Sequence, residues 1–279
     1  MSSATLSLGD VLKRAAEHLG KTSETGRLDA ELLLAHTLGR ERIELYTDFD
    51  RPLSSHELDG YRELVARRAR REPVAYILGE WGFRRLTLTV DRRALIPRPE
   101  TEIVVERALA HLRGLDAPNV LDVGTGTGAI ALAIADEHPG SRVTAIDVSA
   151  DALDLARENA VRTGLTVEVL HHDLRGGLPG GPYDLVVSNP PYVESTELET
   201  LMPDVRDYEP HVALVGSGAT EAVARAAVDV LAPGGRLVLE VGDGQALATA
   251  ALLGELGYGD VVTTPDLTGR ERVVEGQRV

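Results

Sequence analysis

The sequence predicts an α/β protein: a mostly parallel, doubly wound sheet preceded by a small helical bundle. Three observations carry this. From residue 119 onward, Val-rich strand patterns alternate with helical ones. A glycine turn, Gly124-Thr125-Gly126-Thr127-Gly128, directly follows the first of those strands. Before residue 73, apolar residues recur at helical spacing, without strand-like alternation.

Taken in order, Ser7-Leu8-Gly9-Asp10 has the form of a capping box, and Leu8, Val11, Leu12, Ala15, Ala16 and Leu19 follow at helical spacing. Leu28 to Leu38 reads as a second helix, ending at Gly39, a usual C-cap position. Ser54-Ser55-His56-Glu57 opens a third, with Leu58, Tyr61, Leu64 and Val65 on one face, which stops at Glu72-Pro73. Residues 1–73 are therefore expected to form a helical domain. Residues 74–97 change character, and the alternating Leu86-Thr87-Leu88-Thr89-Val90 suggests a β-hairpin linker. In Ile96-Pro97-Arg98-Pro99-Glu100-Thr101-Glu102 the two prolines fix an extended turn. Glu100 and Glu102 then favour the positive end of a helix predicted over 101–113.

The body, 98–279, begins with strand Val120–Val123, the glycine turn and an apolar helix from Ala129 to Ala135. The strand Val143–Ile146 ends at Asp147 and leads into a helix over 150–163. Further strands are predicted at 166–171, 183–188, 236–241 and near 272–274, with a helix over 245–257.

Composition narrows the chemistry. The chain has no cysteine, which excludes disulfides, thiolate metal sites and cysteine nucleophiles, and fits a cytoplasmic location. No apolar run approaches the roughly 18 residues of a membrane span, so no membrane partner is expected. The net charge of −15 is uneven: residues 62–98 hold ten arginines and four acidic residues, whereas 99–279 are strongly acidic. An acidic body is a poor match for extended nucleic acid, and no stable nucleic-acid complex is expected. The arginine-rich stretch reads first as a solvated face.

In the glycine turn, absent side chains let a ligand approach the backbone, whose N–H groups face it at the helix start. Asp147, closing the next strand, is placed to accept the ribose hydroxyls of an adenosine. Asp173 can accept from the adenine amine, and Leu174 can pack on the ring. The glycine pattern by itself also satisfies a dinucleotide fingerprint, which keeps an NAD(P)-dependent oxidoreductase open. His171 and His172 would point to opposite faces of a strand and make a poor metal pair, so no metal site is expected.

The stretch Asp184-Leu185-Val186-Val187-Ser188-Asn189-Pro190-Pro191-Tyr192 is a buried strand stopped by two prolines. Neither Pro190 nor Pro191 has an N–H, so the turn presents acceptors: the Asn189 amide oxygen and backbone carbonyls, with the Tyr192 ring beside them. Such a site suits a planar NH2 group.

The glycine turn, Asp147 and Asn189-Pro190-Pro191-Tyr192 together resemble class I S-adenosylmethionine (SAM)-dependent methyltransferases acting on planar nitrogens. Several further stretches narrow this to a resemblance to the release factor glutamine methyltransferases (the PrmC/HemK family). They are Pro73-Val74-Ala75-Tyr76-Ile77, Ile96–Glu102, Tyr208-Glu209-Pro210, Glu240-x-Gly242-x-x-Gln245 and Gly269-Arg270-x-Arg272-Val273. The resemblance implies a Rossmann-like methyltransferase fold. It also implies methyl transfer from SAM, with S-adenosylhomocysteine as product, to the glutamine amide nitrogen in the Gly-Gly-Gln motif of peptide chain release factors. Gly124, Thr125, Gly126, Thr127, Gly128, Asp147, Asp173, Leu174 and Asn189 would hold the cofactor. Asn189 and the Pro190 carbonyl would accept from the glutamine NH2, with Pro191 and Tyr192 completing the substrate site. The helical domain would help hold the release factor. A nucleic-acid base methyltransferase, flipping an adenine or guanine amine into the same turn, is the alternative. Phe83 and Arg98 are candidates for shaping the pocket, their plainer readings being interdomain core and a pair with Glu100 or Glu102. Trp81 reads as packing and Glu240 as a local pairing group.

Overall fold

The computed structural model describes residues 6–279, which form two compact units. The first comprises the described residues through Gly79 together with Met202–Tyr208; the second comprises Glu80–Leu201 and Glu209–Val279.

The first unit is helical: α1 (Leu8–Leu19), α2 (Gly26–Leu38), α3 (Ser55–Ala69) and α4 (Val74–Leu78). Ser7 and Asp10 close a reciprocal capping box on α1, and Ser54 and Glu57 do the same on α3. The α1–α2 connection is tight because Gly26 permits it; a Cβ there would lie 2.5 Å from the Gly20 amide nitrogen. Leu33 and Leu34 of α2 are fully buried, and the Tyr61 hydroxyl donates to the Ala30 carbonyl at 3.0 Å. Arg68 is the polar centre. Its guanidinium donates to Asp29 and to Asp204, both at 2.7 Å.

Residues 74–78 correct the expectation of a hairpin throughout 74–97. Val74, Ala75, Tyr76 and Ile77 are all buried, and they wind into one helical turn between Pro73 and Gly79, the latter at φ 77°. Consecutive burial overrides the extended preference of isolated β-branched residues. The hairpin itself is β1 (Glu80–Phe83) with β2 (Leu86–Thr89), antiparallel.

The second unit continues with α5 (Thr101–Leu112), β3 (Asn119–Val123), α6 (Ala129–Glu137), β4 (Arg142–Asp147), α7 (Ala150–Thr163), β5 (Glu168–His171) and β6 (Tyr183–Ser188). After α8 (Pro203–Arg206), which belongs to the first unit, come α9 (His211–Leu214) and α10 (Ala219–Val230). β7 (Leu231–Glu240), α11 (Ala246–Glu255), β8 (Tyr258–Pro265) and β9 (Glu271–Arg278) complete the chain. The seven strands run in the order β5-β4-β3-β6-β7-β9-β8. Pairs among β3 to β7 are parallel, and β9 is antiparallel to both its neighbours. Helices α5 and α6 cover one core, built on Val104, Ala131 and Val187; α10 and α11 cover the other, built on Val223, Val186 and Leu253. β8 had no clear sequence signal because it is a half-exposed edge strand with polar residues between its apolar ones. Among the described residues, no helix is long and apolar enough to cross a membrane.

Candidate active site

The strand order reverses between β3 and β6, and in such sheets ligands enter at the carboxyl ends of the strands flanking the reversal. The register pairs Val123 with Ser188, so the glycine turn and Asn189-Pro190-Pro191 leave the sheet side by side. Ser188 Oγ ties them by donating to the Val123 carbonyl at 2.7 Å.

The glycine turn is shaped by backbone that side chains would resist: Gly124 and Gly126 sit at φ 73° and 56°. The Gly124 and Thr125 amides both donate to the Ile146 carbonyl, at 2.9 and 3.0 Å. The Gly126 amide donates to Asp147 Oδ2 at 2.9 Å, while Asp147 Oδ1 accepts from the Ser149 amide at 2.9 Å. Asp122 braces the turn from beneath, Oδ2 accepting from Thr125 Oγ1 at 2.7 Å and from the Ala131 amide at 3.2 Å. Burial pushes its carboxyl up to about 7, against those hydrogen bonds. Gly128 serves packing instead; a Cβ there would lie 3.2 Å from Leu132 Cδ1.

A cavity opens above these strand ends. Its walls include Gly124, Thr125, Gly126 and Thr127, then Asp147, His172 and Leu174, then Asn189, Pro190 and Pro191. Arg98 and Thr101 line it as well. The fold thus gathers most of the residues given a cofactor or substrate role from sequence, with three exceptions among them. Gly128 faces α7. Asp173 points to solvent, its carboxylate bonded to the Arg175 guanidinium, which holds it down to about 2. Tyr192 is not among the residues lining the cavity, and burial pushes its hydroxyl up to about 12.

Tyr192 is fixed by a motif from the end of β7. Gln245 Nε2 donates to the Tyr192 carbonyl at 3.1 Å, and Gln245 Oε1 accepts from the Gly242 amide at 3.0 Å. A Cβ on Gly242 would come within 3.0 Å of the Tyr192 ring. Asn189 is fixed from the other side: its Nδ2 donates to Thr101 Oγ1 at 3.1 Å, and Thr101 Oγ1 donates to Glu240 Oε2 at 2.6 Å. Glu240 is 2% exposed, and burial, with Glu100 nearby, pushes it up to about 7.

Arg98 pairs neither with Glu100 nor with Glu102. Its partner is the buried Glu209, which also accepts from the Ile96 amide at 3.2 Å. Glu102 is engaged elsewhere, accepting from the Arg84 amide at 2.9 Å. Phe83 lies in the α5–α6 core rather than at the cavity. His171 and His172 each donate to a backbone carbonyl, Val148 and Gly177 respectively. Sequence reasoning gave Thr101 no role of its own; the fixed Pro97-Arg98-Pro99 turn before it was the one available sign. Its partner Glu240, 139 residues away, reads from sequence as a local pairing group, with nothing to link the two.

The arginine-rich stretch is largely neutralised within the protein. Arg67 pairs with Glu72, Arg68 and Arg71 with Asp204, Arg84 with Glu137, Arg85 with Asp136, and Arg93 with Asp91 and Glu158.

Comparisons with known proteins show the family. Residues 10–79 match the family model described as the PrmC N-terminal domain, and residues 101–204 the methyltransferase small domain. The chain is 42% identical to the release factor glutamine methyltransferase of Geobacter sulfurreducens, over 92% of this chain and 91% of that one. It is 44% identical to that of Chlorobaculum tepidum, over 90% of each. With that of Deinococcus radiodurans it shares 41% identity over 98% of this chain and 99% of the other. Among solved structures, the T. thermophilus 16S rRNA N2 methyltransferase superposes with a TM-score of 0.53 at 19% identity, over 72% of this chain and 50% of that one, a likeness of fold. The release factor-specific protein-(glutamine-N5) methyltransferase of Alicyclobacillus acidocaldarius is 34% identical, covering 68% of this chain and 99% of its own, with a TM-score of 0.43. On the identity and coverage of these sequence relatives, the chain belongs to the release factor glutamine methyltransferase family.

Proposed function

We propose that the protein transfers a methyl group from SAM to the side-chain amide nitrogen of the glutamine in the Gly-Gly-Gln motif of peptide chain release factors, releasing S-adenosylhomocysteine. The observation that carries this is the orientation of Asn189. With its nitrogen bonded to Thr101, its amide oxygen is the end left to accept, and Pro190 after it adds a carbonyl but no N–H. Two acceptors there match the two hydrogens of one amide NH2.

The cofactor side fits SAM. The turn at Gly124 and Gly126 exposes backbone where a Cβ would meet nothing closer than 3.9 Å, so a ligand can lie against it. Asp147 stands at the end of β4, the position from which a carboxylate accepts ribose hydroxyls. Leu174 lines the same cavity and offers an apolar surface to an adenine ring, whereas Asp173 would have to leave Arg175 to reach one. SAM, when bound, supplies a methyl already activated by the sulfonium. The protein's task is then orientation, which contributes on the order of 7 kcal/mol or more. Asn189 and the Pro190 carbonyl hold the amide and favour the positive charge growing on its nitrogen. No side chain at the turn is asked to act as a base, since the proton leaves after transfer. Tyr192, Pro191 and Gln245 keep the turn in shape.

Methylation of a nucleic-acid base amine is the rival use of the same turn. It calls for free cationic side chains near the site, and the arginines that sequence offered for this are largely engaged in ion pairs. Mass spectrometry after incubation with SAM and an unmodified release factor tests the proposal. The expected result is one added methyl, about 14 Da, on the Gly-Gly-Gln glutamine. Asn189→Ala is expected to lower turnover about 100-fold or more while SAM binds as before. Methyl appearing on RNA or DNA instead would overturn the substrate.

A further inference from the structure

We infer that Thr101 and Glu240 form a buried relay that sets the orientation of the Asn189 carboxamide and strengthens its oxygen as an acceptor, which makes both positioning residues for methyl transfer. The inference rests on the reading of Asn189 as the acceptor for the substrate amide.

An asparagine side chain has a donor end and an acceptor end of nearly equal size. Reversed, Asn189 would offer two N–H groups to a substrate nitrogen that itself brings only N–H groups. Something must choose. The choice is made at the far end of the chain Asn189 Nδ2 to Thr101 Oγ1, 3.1 Å, and Thr101 Oγ1 to Glu240 Oε2, 2.6 Å. An ionised carboxylate can only accept, so the single hydroxyl proton of Thr101 is committed to Glu240. Oγ1 then has only lone pairs left, and only the NH2 end of Asn189 can meet it. Each bond dictates the direction of the next.

Burial sharpens the effect. Thr101 is 3% exposed and Glu240 2%, so water does not compete for either. In such surroundings hydrogen-bonded groups polarise one another, and the carboxylate charge is passed along the chain as extra electron density on the Asn189 oxygen. That oxygen faces the nitrogen on which positive charge develops. Other groups bear on Glu240: Glu100 on the turn before α5, Arg272 on β9, and Asn189 and Tyr192 after β6. Glu100 opposes ionisation, whereas Arg272 and the hydrogen bonds from Thr101 and Asn189 favour it. If Glu240 takes a proton it becomes a donor, and the direction of the relay is lost.

The test uses the full chain with an unmodified release factor. Thr101→Val keeps the shape and removes the hydroxyl. It is expected to lower kcat about 10-fold or more, with SAM affinity within about twofold of the parent, and Thr101→Ser is expected to restore most of the rate. Glu240→Gln is expected to lower kcat similarly without lowering the melting temperature, and to flatten the rise of kcat expected of the parent between about pH 6 and pH 8. A Glu240→Gln enzyme with parental kcat and pH profile overturns the relay, and decides the matter even if Thr101→Val does not fold. A folded Thr101→Val enzyme whose only defect is weaker SAM binding also overturns it. Asn189→Ala separates the two levels. If that variant is inactive while both relay variants are unimpaired, the relay alone fails; if it retains full turnover, the reading of Asn189 fails first.

Discussion

At the scale of single residues, the site is surrounded by carboxyl groups that the protein holds in unfavourable conditions. Asp122 and Glu240 are both buried, and both are pushed up to about 7. Their folded-state values lie above those of the unfolded chain, so the native state binds these protons more tightly. Stability from this source is greatest below about pH 4 and declines as pH rises towards 7, by a few kcal/mol for each group. Glu275 acts oppositely and in another window. Burial would raise it, but hydrogen bonds from Arg107 and then His111 outweigh that and hold it near 2, so its contribution is lost only below about pH 4.5. Between about pH 5.5 and 8 the melting temperature is therefore expected to fall with rising pH. Asp122→Asn and Glu240→Gln are each expected to flatten the slope in a calorimetric series. A melting temperature that climbs with pH across this range would contradict the assignment.

At the scale of elements, the Asn-Pro-Pro turn is held by a glycine outside it. Gly216 lies against Pro191, where a Cβ would sit 2.5 Å from Cγ and 2.6 Å from the carbonyl oxygen. The Val193 and Val215 segments bridge there, with the Val193 amide donating to the Leu214 carbonyl at 3.0 Å. Neither neighbour can give way cheaply, because one is a ring and the other backbone. Gly216→Ala is expected to cost about 1–3 kcal/mol and to reduce kcat at least tenfold. Gly176→Ala, where the added carbon meets nothing within 4 Å, serves as the silent control. Equal activity of the two variants would show that Pro191 is not set by this contact. How far sequence could reach is clear at this scale. The βαβ start, Asp147 and the Asn-Pro-Pro turn were legible because each is a local pattern in which residues a few positions apart decide the backbone. The Val74–Leu78 helix was misread as extended because tertiary burial, not propensity, winds it. The Arg98–Glu209 and Thr101–Glu240 pairs span 111 and 139 residues and leave no periodic trace.

At the scale of the whole molecule, the two units do not follow the chain order. A division at residue 73 or 79 misses Met202–Tyr208, which packs as part of the first unit. Arg68 is one reason: it is 6% exposed and divides its donors among Asp29, Asp204, the Ser23 hydroxyl and the Glu72 carbonyl. The Tyr208 hydroxyl adds a bond to the Arg70 carbonyl at 2.8 Å. Arg68→Leu removes the buried partner of Asp29, leaves Asp204 with Arg71, and is expected to cost about 3–5 kcal/mol. In the full chain, hydrogen exchange at 202–208 should rise with it; unchanged protection of that segment would mean that the ion pairs do not hold it.

The double membership of that segment carries a consequence for rebuilding the protein. A chimera that replaced residues 1–79 with a foreign helical domain would keep a stub of the old one embedded in its own sequence, with Asp204 still shaped for an arginine that is gone. Exchange of the N-terminal helical domain between relatives is therefore a two-cut graft, in which 202–208 must travel with the N-terminus. Libraries of such hybrids should divide sharply into those that move both pieces and fold, and those that move one and do not.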